Sequence, residues 1–197
     1  MARQHAIQAG AAGTRSLPVR IGMASVESRH RIVVMGVSGC GKSTLGAMLA
    51  AALGGVFVEG DDYHLPESKH KMRNGIALDD SDRQPWLDVL ASMMTASSAS
   101  VVLSCSALRA AYRTRLRARV PGLRFVYLEI GMEEALKRVS DRVGHAFPAG
   151  LVSNQFDTLE SPVGEDRVLC LLARDRQERN LASIVRWLDG SMDTVGE

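Results

Sequence analysis

The eight residues Gly36-Val-Ser-Gly-Cys-Gly-Lys-Ser43 are the most informative stretch of this chain. They match the pattern G-x-x-x-x-G-K-[ST] at every fixed position, with an apolar run before them and a helical pattern after them. The glycines allow consecutive backbone N–H groups to curl around a phosphate, and the following helix points the positive end of its dipole at the same anion. The stretch therefore predicts a phosphate-binding loop for a nucleoside triphosphate.

Residues of this loop have distinct expected roles. Lys42 carries a mobile positive charge for the β and γ phosphates, and the Ser43 hydroxyl is a ligand for Mg²⁺. Cys40 occupies a free position of the motif, and we interpret it as a small, tolerated residue. The cofactors expected are therefore ATP and Mg²⁺, whereas the motif alone leaves the fate of the γ-phosphate open. The predicted nucleotide contacts are Gly36, Val37, Ser38, Gly39, Cys40, Gly41, Lys42, Ser43 and Thr44.

Apolar, β-rich runs alternate with helical patterns along the rest of the chain. This alternation is typical of βαβ units, and it predicts an α/β fold of three layers: a five-stranded parallel sheet with helices on both faces. The predicted strands are 31–35, 56–59, 101–105, 125–129 and 168–172. Five helices are also predicted. The first carries Leu45, Met48, Leu49, Ala52 and Leu53 on one face, and the last carries Leu181, Ile184, Val185 and Leu188. Between them lie 86–94, with Pro85 in its opening turn, 107–119 and 133–142.

Length and composition limit the possible classes of protein. The chain has 197 residues, of which 46% are hydrophobic and 23% charged, as expected for one soluble domain. The chain contains no run of about 18 apolar residues, so we expect no membrane span. The net charge is +2, but residues 1–22 hold three arginines and no acid, so the remainder carries 21 basic and 22 acidic residues, a net charge of −1. We therefore expect no nucleic-acid partner and no membrane partner.

The two ends and the cysteines complete this outline. Residues 1–29 lack the apolar core of a secretory signal, so we expect a disordered extension or a natural start at Met23; an organelle transit peptide is the alternative. Residues 30–190 are predicted to form the single domain, and 191–197 a flexible tail. Cys40, Cys105 and Cys170 are far apart and odd in number, which indicates reduced thiols and a cytoplasmic location.

Carboxylates follow the second predicted strand, at Glu59, Asp61 and Asp62. Ligands of open α/β sheets bind at the carboxyl ends of the strands. One carboxylate there can accept a proton from an acceptor hydroxyl, and Glu59 can serve the Mg²⁺ side. The segment 63–83 is rich in Lys, Arg and His and poor in apolar residues, so it is the expected acceptor-binding segment. The alternatives are a solvated acidic turn and ordinary surface cations.

Three further blocks resemble the gluconate kinase family and, with the phosphate loop, span residues 32–162 in that family's order. The first block consists of Gly60-Asp-Asp-Tyr-His-Leu-Pro66, Lys71-Met72, Asn74-Gly75, Leu78-Asp79-Asp80 and Asp82-Arg-Gln-Pro-Trp-Leu87. The second consists of Ser104-Cys-Ser-Ala-Leu-Arg109, Tyr112-Arg113 and Leu116-Arg117. The third consists of Gly144-His145 and Gln155-Phe-Asp-Thr-Leu-Glu-Ser-Pro162. The resemblance implies a P-loop kinase fold like that of shikimate and nucleoside monophosphate kinases, with a lid loop at about 144–166. It also implies transfer of the ATP γ-phosphate to the 6-hydroxyl of D-gluconate, and a homodimer.

The resemblance also implies roles for individual residues. Asp61 is the implied base, Lys71 and Arg83 are implied acceptor contacts, and Arg109 is implied to lie near the phosphates or the acceptor. The predicted acceptor-binding residues are Asp61, His64, Lys71, Arg83 and Arg109, and the predicted catalytic residues are Asp61, Lys42 and Arg142. The predicted metal-side residues are Ser43 and Glu59, the latter standing where the family usually has Asp.

Two groups of arginines flank these blocks. Arg109, Arg113 and Arg117 share one helical face; we expect Arg109 at the site, with Arg113 as the second candidate. Arg115, Arg117 and Arg119 are expected to form a solvated basic face. Arg138 and Arg142 lie one turn apart before the lid, where Arg142 would reach the transferring phosphoryl group on closure; a salt-bridged surface pair is the alternative.

Two other functions remain open from the residues alone. The same scaffold serves shikimate-type and nucleoside monophosphate kinases, and an ATP-binding regulatory or RNA-associated module would use the same phosphate loop without catalysis.

Overall fold

Five parallel strands form one sheet in this protein. The computed structural model describes residues 29–141 and 149–190. The strands are β1 (Arg31–Met35), β2 (Val56–Glu59), β3 (Val101–Ser104), β4 (Arg124–Glu129) and β5 (Val168–Leu172). Their order in the sheet is β2-β3-β1-β4-β5, and every neighbouring pair is parallel. β1 is therefore the central strand, and its carboxyl end lies between those of β3 and β4.

Seven α-helices connect and cover the strands within the described ranges. They are α1 (Lys42–Ala52), α2 (Pro66–Arg73), α3 (Asp80–Ala96), α4 (Ala110–Arg119), α5 (Met132–Ser140), α6 (Ala149–Thr158) and α7 (Gln177–Leu188). A 3₁₀ turn, Gly60–Tyr63, follows β2 directly. None of the helices described combines the length and apolar character needed to cross a membrane.

The two faces of the sheet are buried under different helices. On one face, Val33 and Met35 of β1 pack with residues of α3 and α4, including Trp86 and Leu116. On the other face, Ile32 and Val34 pack with residues of α1 and α7, such as Leu45, Leu49, Ile184 and Leu188. Residues 32–35 are completely buried, as expected for a strand covered on both sides. The three-layer α/β fold predicted from the sequence is confirmed.

Two helices begin three or more residues away from the predicted position. α3 begins at Asp80 and not near Trp86, so Pro85 lies in its second turn and not its opening turn. A reciprocal cap explains the early start: the Asp82 N–H donates to Asp79 Oδ1 at 3.0 Å, and the Asp79 N–H donates to Asp82 Oδ2 at 3.1 Å. α4 begins at Ala110 and not at 107, because Ala107 has a φ of 44°, which is incompatible with a right-handed helix.

The predicted lid loop at 144–166 contains a helix, α6, and the predicted acceptor segment contains another, α2. Describing 144–166 as a loop throughout was therefore wrong. Gly150, Ser153 and Asn154 favour helix only weakly, so α6 depends on tertiary packing, which Val152 and Phe156 provide. Residues 1–28, 142–148 and 191–197 lie outside the described ranges. The predictions for the N-terminal extension, the tail, Arg142 and Gly144-His145 therefore stay untested.

Candidate active site

The phosphate loop joins β1 to α1 and is enclosed by three distant elements. Gly39 and Gly41 have φ angles of 84° and 98°, a region that only glycine adopts without strain. A Cβ atom on Gly36 would lie 2.8 Å from the Leu128 carbonyl oxygen of β4, and one on Gly39 would lie 2.8 Å from the Ala135 carbonyl oxygen of α5. A Cβ atom on Gly41 would lie 3.0 Å from Nε2 of Gln177, in α7. The backbone therefore takes a shape that side chains would prevent.

Lys42 and Ser43 occupy the first turn of α1. No acidic residue and no side-chain cap neutralises this end of the helix, so its positive dipole end is available to an anion. The Lys42 ammonium donates a hydrogen bond to the Val37 carbonyl oxygen at 3.0 Å, which folds its side chain across the loop. Thr44 is exposed in the same turn. Backbone amides, one mobile cation and the helix dipole thus converge where a polyphosphate would bind.

Two oxygen-bearing side chains, those predicted for Mg²⁺, belong to elements on one face of the sheet. Phe57 of β2 packs with Leu45 and Leu49 of α1, and Glu59, two residues further on, points to the same face because strand side chains alternate. Glu59 is thus on the side of α1, whose first turn carries the Ser43 hydroxyl. A carboxylate and a hydroxyl beside a polyphosphate site match the hard oxygen ligands of Mg²⁺. Ser43 and Glu59 therefore fit the metal that the motif implies.

The acidic turn after β2 lies at the same edge of the sheet as the phosphate loop. Glu59 pairs with Ser104 of β3, and Ser104 pairs with Val34 of β1. Burial raises the pKa of the Cys105 thiol to about 12, and the charges of Asp61, Arg83 and Lys42 all act on this one group. The acidic turn with Asp61 and the phosphate loop with Lys42 therefore follow strands whose carboxyl ends flank the end of β3.

His64 supports the acidic turn from the interior. Its ring stacks on Trp86 with centroids 4.1 Å apart, and Trp86 Nε1 donates to the Gly60 carbonyl oxygen at 2.8 Å. Burial lowers the pKa of His64 to about 4, assisted by the positive charges of Arg83 and Lys69, so the imidazole is neutral at pH 7. Its Nε2 atom lies 3.8 Å from Asp61 Oδ1, too far for a hydrogen bond. Acceptor binding by His64 stays a prediction, and its buried ring has a packing role as well.

Arg83 and Arg109 both approach the ring of Tyr112. Their guanidinium carbons are 5.8 and 5.9 Å from the centre of its ring. The Tyr112 hydroxyl donates to Asp80 Oδ1 at 2.6 Å, and Arg109 Nη1 donates to the same oxygen at 3.0 Å. Burial, followed by the hydrogen bond to Asp80, raises the pKa of Tyr112 to about 12. Two of the predicted acceptor cations are thus held together.

A narrow cleft opens beside Arg83, between the acceptor segment and α6. It is lined by Met72, Ala77, Leu78, Arg83, Leu151, Asn154 and Gln155. Lys71 lies near its rim on α2, where its ammonium is 2.8 Å from both carboxylate oxygens of Asp82, the residue before Arg83. Of the predicted acceptor residues, Arg83 lines this cleft, Lys71 is paired with its neighbour Asp82, and Arg109 approaches the same Tyr112 ring as Arg83.

Arg113 does not face this region, so its placement at the site was wrong. Its side chain is completely buried, and its Nε atom donates to both carboxylate oxygens of Glu165, at 2.9 and 3.1 Å. Its Nη1 atom donates to the carbonyl oxygens of Ala107 and Leu108, both at 3.0 Å. Arg113 thus fixes the loop between β3 and α4, which explains the unusual φ of Ala107.

The remaining arginines of α4 are paired and do not form a free basic face. Arg117 shares Glu165 with Arg113, and Arg115 and Arg119 both contact Asp88 of α3. Arg138 forms an ion pair with Glu134 one turn earlier in α5 and donates to the Ala173 carbonyl oxygen at 3.2 Å. For Arg138, the salt-bridged alternative therefore holds.

One contact with the phosphate loop was missed. The Ser38 N–H donates to Oε1 of Gln155, on α6, at 2.6 Å. Gln155 belongs to the third block of resemblance but had no assigned role. The spacing of Val152, Phe156 and Leu159 could have indicated a helix there, with Gln155 at the edge of its apolar face. A second cleft was also missed; it opens at the ends of β4 and β5 and is lined by Glu129, Ile130, Gly131, Glu134, Leu172 and Arg174.

Comparisons with known proteins identify the family of this chain. The family model described as shikimate kinase matches residues 38–153. A probable gluconokinase of Xenopus tropicalis is 38% identical over 180 residues, which cover 82% of this chain and 93% of that protein. The gluconokinase of Gluconobacter oxydans is 38% identical over 159 residues, covering 79% of this chain and 89% of the relative.

Solved structures give the same result. A gluconokinase crystal structure from Sinorhizobium meliloti 1021 superposes with a TM-score of 0.73 at 40% identity, covering 84% of this chain and 98% of the other. A shikimate kinase structure from Aquifex aeolicus, at 19% identity, covers 82% of this chain and 97% of the other with a TM-score of 0.55, which supports the fold alone. With its phosphate loop, its acidic turn and these relatives, the chain belongs to the gluconokinase family of P-loop kinases.

Proposed function

We propose that this protein transfers the γ-phosphate of Mg-ATP to the 6-hydroxyl of D-gluconate, giving 6-phospho-D-gluconate and ADP. The observation that carries this proposal is that the acidic turn with Asp61 and the phosphate loop with Lys42 follow strands on either side of β3, at one edge of the sheet. The helix that carries Arg83 is joined to the same turn, because Trp86 Nε1 donates to the Gly60 carbonyl oxygen at 2.8 Å. A base, an acceptor cation and a phosphate cation on adjoining elements are the parts that a phosphoryl transfer to an acidic alcohol requires. The gluconokinase relatives, at 36–41% identity, support gluconate over shikimate, since the shikimate kinase structures are only 18–19% identical.

The residues suggest a simple division of roles. The 6-hydroxyl oxygen forms a bond to the γ-phosphorus while the bond from that phosphorus to the β–γ bridging oxygen breaks, and ADP leaves. The hydroxyl proton goes to Asp61, whose side chain is 74% exposed and has no hydrogen-bond donor nearer than the 3.8 Å imidazole of His64 among the described residues. The Lys42 ammonium gives up its hydrogen bond to the Val37 carbonyl oxygen and binds the phosphates. Ser43 and Glu59 would hold Mg²⁺, which would supply positive charge against the charge that develops on the phosphate oxygens.

Binding of the gluconate carboxylate is assigned to the arginine pair. Arg83 and Arg109 both approach the Tyr112 ring, Arg109 while paired with Asp80 at 3.0 Å, and we assign the acceptor carboxylate to these two guanidinium groups. Lys71 is a third cation at the rim of the same cleft. Arg142 stays our prediction for the charge that stabilises the transferring phosphoryl group. We further propose a cytoplasmic homodimer, which light scattering of the purified protein and fractionation of cells would test.

An acceptor panel with Mg-ATP tests the function directly. Coupled ADP release should depend on gluconate and not on shikimate or nucleoside monophosphates. ADP release that no acceptor stimulates would favour a non-catalytic ATP-binding module instead.

Asp61→Asn tests the proposed base. Loss of general-base catalysis typically lowers the rate by about 10²- to 10⁴-fold, so kcat should fall by that factor while the Kd for ADP stays nearly unchanged. Asp62→Asn is the matched control, because Asp62 is also exposed in the same turn and should retain turnover. Normal turnover in Asp61→Asn would rule out this role for Asp61.

A further inference from the structure

The side chain of Gln155, on α6, occupies a backbone N–H of the phosphate loop that a nucleotide would bind. Its side-chain oxygen accepts the Ser38 N–H at 2.6 Å, although the two residues are 117 positions apart in sequence. Backbone N–H groups of such a loop are the donors that cradle phosphates. The Gln155 oxygen therefore stands in for a phosphate oxygen, just as the Val37 carbonyl oxygen stands in for one at the Lys42 ammonium.

The same side chain also faces the acceptor cleft. Val152 and Phe156 of α6 pack with Val37 of the phosphate loop, which fixes the helix against that loop. The adjoining positions of α6, Leu151, Asn154 and Gln155, line the cleft together with Arg83. Positions i, i+3 and i+4 share one side of a helix, so α6 presents one side to the phosphate loop and the next to the acceptor. Gln155 lies at the border and contacts both.

We propose that Gln155 is a positioning residue that competes with the nucleotide for the Ser38 N–H and thereby couples nucleotide binding to the acceptor cleft. A phosphate oxygen is charged and forms a stronger hydrogen bond than a neutral amide oxygen, so the nucleotide displaces Gln155. The released carboxamide, which has both donors and an acceptor, is then available to the hydroxyls of a polyol beside Arg83. The coupling to gluconate rests on the proposed function, whereas the competition for Ser38 does not.

Titration calorimetry with ADP alone tests the competition. Gln155→Leu keeps much of the side-chain volume but removes the competing oxygen, so the Kd for ADP should fall by about two- to tenfold, the range that one net hydrogen bond represents. Gln155→Glu should raise the Kd, because a carboxylate holds the N–H more strongly and repels the phosphates. Asn154→Leu is the matched control: Asn154 lines the same cleft, and its side chain has no described hydrogen bond to the loop, so the Kd should not change.

Opposite shifts in Gln155→Leu and Gln155→Glu would support the proposal, since a purely structural role would weaken binding in both variants. An unchanged or raised Kd in Gln155→Leu would overturn it. If Gln155→Leu does not fold, as judged by its melting temperature, Gln155→Met provides the same comparison with an unbranched side chain.

The acceptor arm repeats the ADP titration with saturating gluconate. The Kd of the wild-type protein for ADP should change when gluconate is added. The Kd of Gln155→Leu for ADP should be the same with and without gluconate. Persistence of the full change in the variant would overturn the coupling. A wild-type protein that binds ADP but not gluconate would contradict the proposed function, and the competition would then be decided by the ADP titrations alone.

Discussion

Replacement of Arg113 by alanine should destabilise the protein more than replacement of any other arginine of α4. The substitution removes a completely buried cation, and the Ala107 and Leu108 carbonyl oxygens lose the hydrogen bonds that Arg113 Nη1 donates. Glu165 loses one of its two ion-pair partners and keeps Arg117. Breaking a buried ion pair from one side costs about 3–5 kcal/mol. Because the Glu165 side chain is 25% exposed and keeps one partner, we expect a loss of about 3 kcal/mol in the free energy of unfolding.

Urea unfolding followed by tryptophan fluorescence measures this loss by linear extrapolation. The control is Arg119→Ala, because Arg119 is 45% exposed and its partner Asp88 keeps Arg115 at 2.7 Å. An exposed pair of this kind contributes at most about 1 kcal/mol. Equal losses in the two variants would refute the account of Arg113 as a buried clamp.

The difference between wild type and Arg113→Ala should also depend on pH in a defined direction. Burial pushes the pKa of Glu165 up, but the hydrogen bonds and charges of Arg113 and Arg117 together lower it below its ordinary value of 4.5. The stabilisation is therefore fully present above pH 4.5 and is lost as the pH falls through the lower folded pKa. A difference that grows on acidification would contradict the ion pair.

Two further predictions concern the support of the site. His64 has a pKa of about 4 in the folded protein and 6.5 when unfolded, so the unfolded state binds more protons between these values. The free energy of unfolding should therefore fall by about 2 kcal/mol as the pH is lowered from 7 to 5. His64→Phe should flatten this part of the pH profile in urea unfolding, and an unaltered profile would show that another group titrates. Gly39→Ala should weaken ADP binding by roughly tenfold or more, since its φ is 84° and the new Cβ atom would meet the Ala135 carbonyl oxygen. Gly54→Ala carries comparable strain with open space around it, so equal effects on calorimetric ADP binding would contradict the contact.

The strands were predictable because their sequence signal is local. β1, β2 and β5 have the bounds expected from their apolar runs, and the central β1 is apolar from Ile32 to Met35 because it is covered on both faces. The phosphate loop and the acidic turn were also predictable, because parallel topology brings the carboxyl ends of strands to one edge. The relative placement of Lys42 and Asp61 therefore follows from the sequence.

Features that depend on distant partners were not predictable in the same way. Arg113 looks like any arginine on a basic helix, and its burial depends on Glu165, 52 residues away. α6 has weak helical propensity, and its stability comes from packing on Val37, more than 100 residues earlier in the chain. Gln155 reaches Ser38 only through that packing. The sequence reveals the chemistry of these residues but not their partners.

The enclosure of the phosphate loop by Leu128, Ala135 and Gln177 has a consequence for biosynthesis. The loop ends at residue 43, yet the elements that shape it extend to residue 177, more than 130 residues later. A nascent polypeptide on the ribosome therefore carries the complete nucleotide motif long before the surfaces that give it its working conformation have emerged. Messages cut short before codon 177 should yield products that contain the motif intact and yet fail to retain ADP.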